Sequence, residues 1–355
     1  MNRKVHILAV TALIACACTG VKMEGEPTDI VNVTCTADWS EVSAAPSYVF
    51  DFAAARTLKS VHYYEDGIYT NQGGEDSFQM EPGEYEAVFM CCTPQDAYTV
   101  ENKETFIQES QSSLSVLTAR TPSMSHADFV LKFAECTPIL VEYYDILYPV
   151  APLYVGSVRK VLQANGEVQN LSFKPRPVFQ KVTFRITITP GDETVTPTRV
   201  VANLTGTPLR VQMLSGNVDT AELGQTAFEL THVEGDVWEG TVQILGIKVS
   251  EDAELAVGPG IMRLYVRYGT VVSAVTNKVL NLKPYLEAQP LLRYADDGEY
   301  YTSVTPEARF EIKDPLYLKP SGTEHAGEEP ISPWKDPEDG DVHDILDGYD
   351  DDENA

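Results

Sequence analysis

The sequence predicts an all-β protein made of two tandem β-sandwiches. Three observations carry that reading. Short stretches alternate apolar and polar residues with a period of two. Glycine, proline and acidic turn signals separate them. Helical periodicity is scarce, and runs of short strands without helices between them favour sandwiches.

Taken in order, Val31, Val33 and Cys35 share one face against Asn32, Thr34 and Thr36. Tyr85, Ala87 and Phe89 align along Glu84 to Met90. Lys181 to Thr189 alternates most cleanly, with Val182, Phe184, Ile186 and Ile188 facing in and Lys181, Thr183, Arg185 and Thr187 facing out. Met262, Leu264, Val266 and Tyr268 repeat the pattern opposite Arg263, Tyr265 and Arg267. Such alternation with β-branched and aromatic residues predicts half-buried antiparallel strands. Turns fall at Glu65-Asp66-Gly67, Gln72-Gly73-Gly74, Glu81-Pro82-Gly83, Asn165-Gly166, Pro190-Gly191-Asp192 and Gly258-Pro259-Gly260. The best helical candidate is Glu104 to Thr118, weakened by its serines.

Lys174-Pro175-Arg176-Pro177 divides two strand-rich halves, because two prolines in four residues interrupt sheet pairing. The expected organisation is a leader at 1–15, a tether at 16–27, one sandwich at 28–174 and a second at 175–320. An acidic segment follows at 321–355, with Trp334, Val342 and Ile345 marking a final strand near 341–346. The run from Asp347 to Glu353 is mostly acidic and cannot bury enough apolar surface to order itself.

The N-terminus sets location. Asn2, Arg3 and Lys4 precede an apolar run from Val5 to Ala15. About eleven residues are too few to span a bilayer. Leu13-Ile14-Ala15-Cys16 closes the run. A small residue before cysteine at that place resembles the bacterial lipobox, which implies cleavage before Cys16 and acylation of its thiol. The plainer alternative is a secretory leader with a bystander cysteine. Cys18 is a second, poorer candidate.

The formal net charge of −27 over 355 residues argues against nucleic-acid partners. With Cys16 set aside, Cys18, Cys35, Cys91, Cys92 and Cys136 form an odd, scattered set. They read as buried free thiols rather than a disulfide framework. Adjacent Cys91 and Cys92 should point to opposite faces of a strand.

Catalytic motifs are missing. There is no Gly-x-Ser-x-Gly, no His-Glu-x-x-His and no phosphate-cradling glycine loop. Glu65-Asp66 and Asp96 near Glu101 are the sort of carboxylate pairs that chance supplies in so acidic a chain. Asp336 to Asp341 and Asp347 to Glu353 match no calcium loop. We therefore expect no enzyme, no cofactor and no metal. Two tyrosine clusters remain: Tyr63, Tyr64 and Tyr69, and Tyr143, Tyr144 and Tyr148. They suit either core packing or, where exposed, stacking on sugar rings.

Several motifs in order resemble the fimbrillin-type lipoproteins of Bacteroidales. They are the lipobox, Asp38-Trp39-Ser40, Met80-Glu81-Pro82-Gly83-Glu84-Tyr85, Pro152-Leu153-Tyr154-Val155-Gly156, Asn203-Leu204-Thr205-Gly206, Leu214-Ser215-Gly216, and Trp334 with Val342 and Ile345. Two features depart from that pattern. Ser47 to Tyr64 lacks the usual short strand-turn-strand, and the acidic tail is foreign to the group. The resemblance implies transthyretin-like, Greek-key sandwiches and an outer-membrane, lipid-anchored protein on the surface or in a fimbrium. It implies a structural or adhesive role as fimbrial anchor or accessory subunit. Its partners would be the membrane, through the lipid, and other subunits, through strand addition. A host or glycan ligand is a further expectation, and a glycan-binding surface lipoprotein is the alternative reading. In that family, shaft and tip subunits are cut by an arginine-specific protease in the first domain, which removes a strand and opens a groove for a neighbouring subunit. Here the corresponding candidates are Arg56 for processing and Val31, Val33 and Cys35 for the donor strand.

Overall fold

The computed structural model describes residues 30–42, 50–56, 69–71, 77–80, 82–92, 97–101, 118–134, 136–138, 140–190, 196–268, 274–296, 298, 300–318 and 334–335. The first half holds β1 (Val31–Ala37), β2 (Phe50–Arg56), β3 (Tyr69–Asn71), β4 (Ser77–Met80), β5 (Gly83–Cys92), β6 (Thr99–Glu101) and β7 (Thr118–Arg120). Helix α1 (His126–Lys132), β8 (Asp145–Ile146), β9 (Leu153–Leu162), β10 (Gln169–Phe173) and β11 (Arg176–Pro177) complete it. Then come β12 (Gln180–Thr189), β13 (Pro197–Gln212), β14 (Val218–Glu234), β15 (Val237–Ile244), β16 (Ile261–Tyr268) and β17 (Ala274–Asn281). Helix α2 (Lys283–Ala288), β18 (Leu292–Tyr294), β19 (Tyr301–Ser303) and β20 (Glu307–Tyr317) follow. The protein is nearly all β. No helix among the described residues is long and apolar enough to cross a membrane.

A three-stranded sheet, β10-β1-β4, faces a five-stranded sheet, β11-β9-β5-β2-β3. Val31, Val33 and Cys35 of β1 and Leu171 and Phe173 of β10 meet Tyr85, Ala87, Phe89 and Cys91 of β5. The period-two reading of β1 is correct, and in β5 it groups Tyr85, Ala87 and Phe89 on this layer. Trp39 stands edge-on to Phe89 at 5.8 Å and to Tyr154 at 5.5 Å, closing one end.

β5 departs from the half-buried expectation. Its other face, Val88, Met90 and Cys92, is buried as well, against Val211, Met213, Val218 and Leu245 of the second half. Cys91 and Cys92 therefore lie in different apolar clusters, as their adjacency required. Cys35, Cys91, Cys92 and Cys136 are all buried.

The second half curls one long sheet over itself. β17-β16-β13-β14 run side by side, and β14 continues through β15 and β12 to β20. β14 manages this by pairing with β13 from Val218 to Leu230 and with β15 from Thr231 to Glu234. Its 17 residues serve two layers. Val182, Phe184, Ile186 and Ile188 fill the space between them with Val200, Ala202, Leu204, Met262, Leu264 and Val266. Phe184 stacks between Phe228 and Phe310 at 5.8 and 5.6 Å.

Three pairings are parallel, contrary to the antiparallel expectation: β1 with β10, β12 with β20, and β8 with β14. Alternation reports which face is buried, not strand direction. Parallel partners need only a long connection. The proline-rich boundary also pairs, with Arg176 opposite Val155 and Pro177 opposite Tyr154. It does so as the outermost strand of its sheet, the place where a missing N–H is tolerated. Segment 47–64 contributes β2, which pairs with β3 and β5.

Of the predicted helix at 104–118, only Thr118 is described, and it lies in β7. The predicted strand near 341–346 lies outside the described residues. Trp334 is buried, and its indole N–H donates to the Asp314 carbonyl at 3.0 Å. Lys335 exchanges both backbone hydrogen bonds with Val279 at 2.9 Å.

Candidate functional site

Two places are candidates: the seat of β1, and a cleft beside Tyr143 and Tyr144. β1 is the middle strand of its sheet. It pairs in parallel with β10, Cys35 opposite Leu171, and antiparallel with β4, Val31 opposite Met80. Val31, Val33 and Cys35 are 2%, 0% and 3% exposed. Burial pushes the Cys35 thiol up to about 12, so it stays protonated and behaves as a small apolar group. On the outer face Asn170 accepts from Thr34 at 3.2 Å and donates to Thr36 at 2.8 Å, tying β10 to β1.

Arg56 is the last residue of β2, with its backbone opposite Tyr85. The backbone there is a paired strand end. Cys16, Cys18, Tyr63, Tyr64 and the acidic tail lie outside the described residues.

The second tyrosine cluster is built by a side chain that the sequence reading missed. Gln225 of β14 is 1% exposed. Its Oε1 accepts from the Val141 N–H at 3.0 Å and from Asn203 Nδ2 at 3.0 Å. Its Nε2 donates to the carbonyls of Val141 and Tyr144 at 2.8 and 2.9 Å. One buried amide thus fixes residues 141–144, a task usually left to strand pairing. Tyr143 and Tyr144 sit in this turn rather than on a strand. Their rings meet at 4.6 Å instead of pointing apart. Tyr143 remains 62% exposed.

Across from them the β13–β14 ladder breaks. Pro208 faces Leu223 and Arg210 faces Asp219, so Leu209 alone opposes Thr220, Ala221 and Glu222. Bulges of this kind bend a strand and re-aim its side chains. The result is a cleft of about 400 Å³ lined by Tyr143, Tyr144, Asp145, Leu209, Ala221, Glu222 and Leu223.

Ion pairs brace its rim. Arg120 of β7 pairs with Glu222 at 2.8 Å and with Asp145 at 3.1 Å. Arg210 pairs with Glu101 at 2.6 Å and also with Glu222. Hydrogen bonds from Arg120 and Arg210 hold the Glu222 carboxyl below the usual carboxylate range. Burial pushes the phenols of Tyr143 and Tyr144 up, leaving both as neutral hydroxyls. Neither Gln225 nor the arginines carried a local motif. The partners of each lie far away in sequence, so no window of residues announces them.

Among the described residues, no group of three or more His, Cys, Asp and Glu side chains is placed to hold a metal ion. No protein-family model and no curated protein matches the chain. Solved structures do. A candidate adhesin from Bacteroides ovatus matches at 16% identity and a TM-score of 0.49, over 84% of this chain and 95% of that one. The fimbrial anchor protein Mfa2 from Porphyromonas gingivalis matches at 11% identity and a TM-score of 0.42, over 78% and 95%. A candidate polysaccharide-binding protein from Bacteroides thetaiotaomicron matches at 11% identity and a TM-score of 0.44, over 81% and 92%. The chain is similar to Bacteroidales fimbrial and adhesin-class proteins.

Proposed function

We propose that this chain is a lipid-anchored surface protein of the fimbrillin type, with a structural or adhesive role as anchor or accessory subunit and no catalytic step. The sequence supports the tether, through Leu13-Ile14-Ala15-Cys16. Acyl chains on Cys16 would hold the protein at the outer membrane; stable anchoring takes more than one chain. At full extension the residues between Cys16 and Val31 span at most roughly 50 Å. The fold therefore stays near the bilayer.

The observation that carries the anchor reading is the place of Arg56. A cut after Arg56 would free everything before it, and that includes β1 and β2. These strands belong to different sheets: β1 lies between β10 and β4, and β2 between β5 and β3. Cleavage would thus open two sheets at once, not one groove for one incoming strand. Its backbone is also paired, and proteases act on exposed, unpaired segments. An uncut, lipid-retained subunit fits this geometry better than a processed shaft subunit. Interaction with other subunits would then use edges that need no cleavage, such as β20, which ends its sheet among the described residues.

The test has two arms. Cells expressing wild type and Cys16→Ser are fractionated, and purified protein is treated with an arginine-specific protease. Retention of wild type in the membrane, release of Cys16→Ser and an intact Arg56 are expected. Equal solubility of the two would remove the anchor. Discrete cleavage at Arg56 followed by polymers would restore the shaft subunit.

A further inference from the structure

We infer that the cleft between the 141–145 loop and the β13–β14 bulge is a binding site for a neutral glycan. Four observations converge on it. The β14 strand leaves its β13 ladder where it forms the cleft wall, placing Ala221 and Glu222 outside regular pairing. The opposite wall offers the Tyr143 face to solvent, backed by Tyr144 at 4.6 Å. A sugar ring presents one apolar C–H face, and an exposed aromatic ring is the side chain that covers it. The loop bearing that ring is held by Gln225, whose amide makes four hydrogen bonds, three of them to residues 141–144. A binding surface fixed in advance loses little ordering entropy on binding. Last, hydroxyl partners stand at the rim: the carboxylates of Asp145 and Glu222 and the neutral phenols of both tyrosines. The volume of about 400 Å³ falls in the ordinary range for small-ligand clefts.

Charge selects the class. Glu101, Asp145 and Glu222 outnumber Arg120 and Arg210, and both guanidiniums already bond carboxylates. Arg263 lies close enough to act on Tyr143 but is not among the lining residues, so an acidic sugar gains little from it and would be repelled by a chain of net charge −27. A neutral pyranose meets neither cost. The site deepens the adhesive reading above by naming what is held. The two fail separately, since Cys16→Ser fractionation tests location and sugar titration in solution tests the cleft.

The probes are maltotriose, mannotriose, cellotriose, lactose and chitotriose, titrated calorimetrically into the full chain, with sialyllactose as the charged comparator. At least one neutral probe should bind saturably, and sialyllactose should bind no tighter than lactose. Tyr143→Ala should weaken binding about tenfold, while Tyr143→Phe, which keeps the ring, stays near wild type. Tyr143 is exposed, so neither change threatens the fold. The inference is overturned if all five neutral probes fail at millimolar concentration, if Tyr143→Ala binds as wild type does, or if sialyllactose binds best.

Discussion

Arg120 and Arg210 face each other directly across the β7–β13 pair. Like charges so placed destabilise a sheet. The pair is tolerable because Glu222 bonds both guanidiniums while Glu101 and Asp145 take the remaining sides. Glu222→Gln should therefore lower stability, by about 0.5–1 kcal/mol given how exposed the network is. The pH dependence has a definite sign. A carboxyl held below its ordinary value stabilises the fold above that value and loses this contribution as pH falls through the folded one. Urea midpoints of wild type and Glu222→Gln should differ near neutral pH and converge below about pH 4. A gap that stays constant with pH would mean that packing, not charge, is lost. Cys35 works in the opposite direction. Its folded value of about 12 lies above the ordinary 9.0. Its contribution is complete below 9.0 and disappears as pH rises through about 12. Between about pH 8 and about pH 10.5, wild type should lose more stability than Cys35→Ala, which has no thiol to ionise at that site.

Single elements were legible wherever one face is buried and the other wet. β1 and β12 follow their alternation residue by residue, and β16 does so on its inward face, whereas Tyr265 on its other face is buried against Phe129 and Phe133. Val33→Asp on β1 should be among the most damaging changes. It places a charge at 0% exposure with no partner, and we expect a loss of at least ~3 kcal/mol in urea unfolding. A shift below ~1 kcal/mol would mean that β1 is loosely seated and that its removal is easy. β5 was read as half-buried because alternation and a continuous apolar run are hard to separate over ten residues. Helix α1 went unread because seven residues give too few turns for periodicity. Its one local signal is Ser125, whose hydroxyl accepts from the Asp128 N–H at 3.1 Å. The Asn203-Leu204-Thr205-Gly206 motif has a physical reason that sequence alone does not supply. Gly206 has φ +82°, and a Cβ there would lie 2.4 Å from the Lys248 carbonyl oxygen. Both sterics and conformation demand glycine. Gly206→Ala should lower the melting temperature by several degrees, corresponding to a loss of about 1–3 kcal/mol. An unchanged melting temperature would show that the backbone at Gly206, where the β13–β14 register shifts between Thr205 and Thr207, can relax. The cleft was less legible than the strands: Tyr143 and Tyr144 stood out as aromatics, but the Gln225 clamp and the bulge that make them a site depend on contacts between distant segments.

At the scale of the molecule, sheets and cores divide the chain differently. The three- and five-stranded sheets use residues 31–177, and β12 to β20 use residues 180–317. Yet β7 pairs with β13, β8 pairs with β14, and Phe129 of α1 and its C-cap Phe133 pack against Val201, Ala227 and Tyr265. One apolar cluster joins Val88, Met90 and Cys92 of β5 to Val211, Val218 and Leu245. A chain severed after Lys174 would expose that cluster on both fragments, take β14 away from β8 and leave β7 paired with β6 alone. Large exposed apolar patches drive association rather than stable monomers. Tandem sandwiches joined only by a linker would unfold independently. Here the shared cluster should couple them into one transition. Calorimetry on the full chain should give a single peak whose van't Hoff and calorimetric enthalpies agree. Fragments 28–174 and 175–355, expressed separately, should aggregate or melt far below the intact protein. Two resolved peaks, with each fragment melting at the temperature of one of them, would overturn the coupling and leave the halves as independent units on one tether.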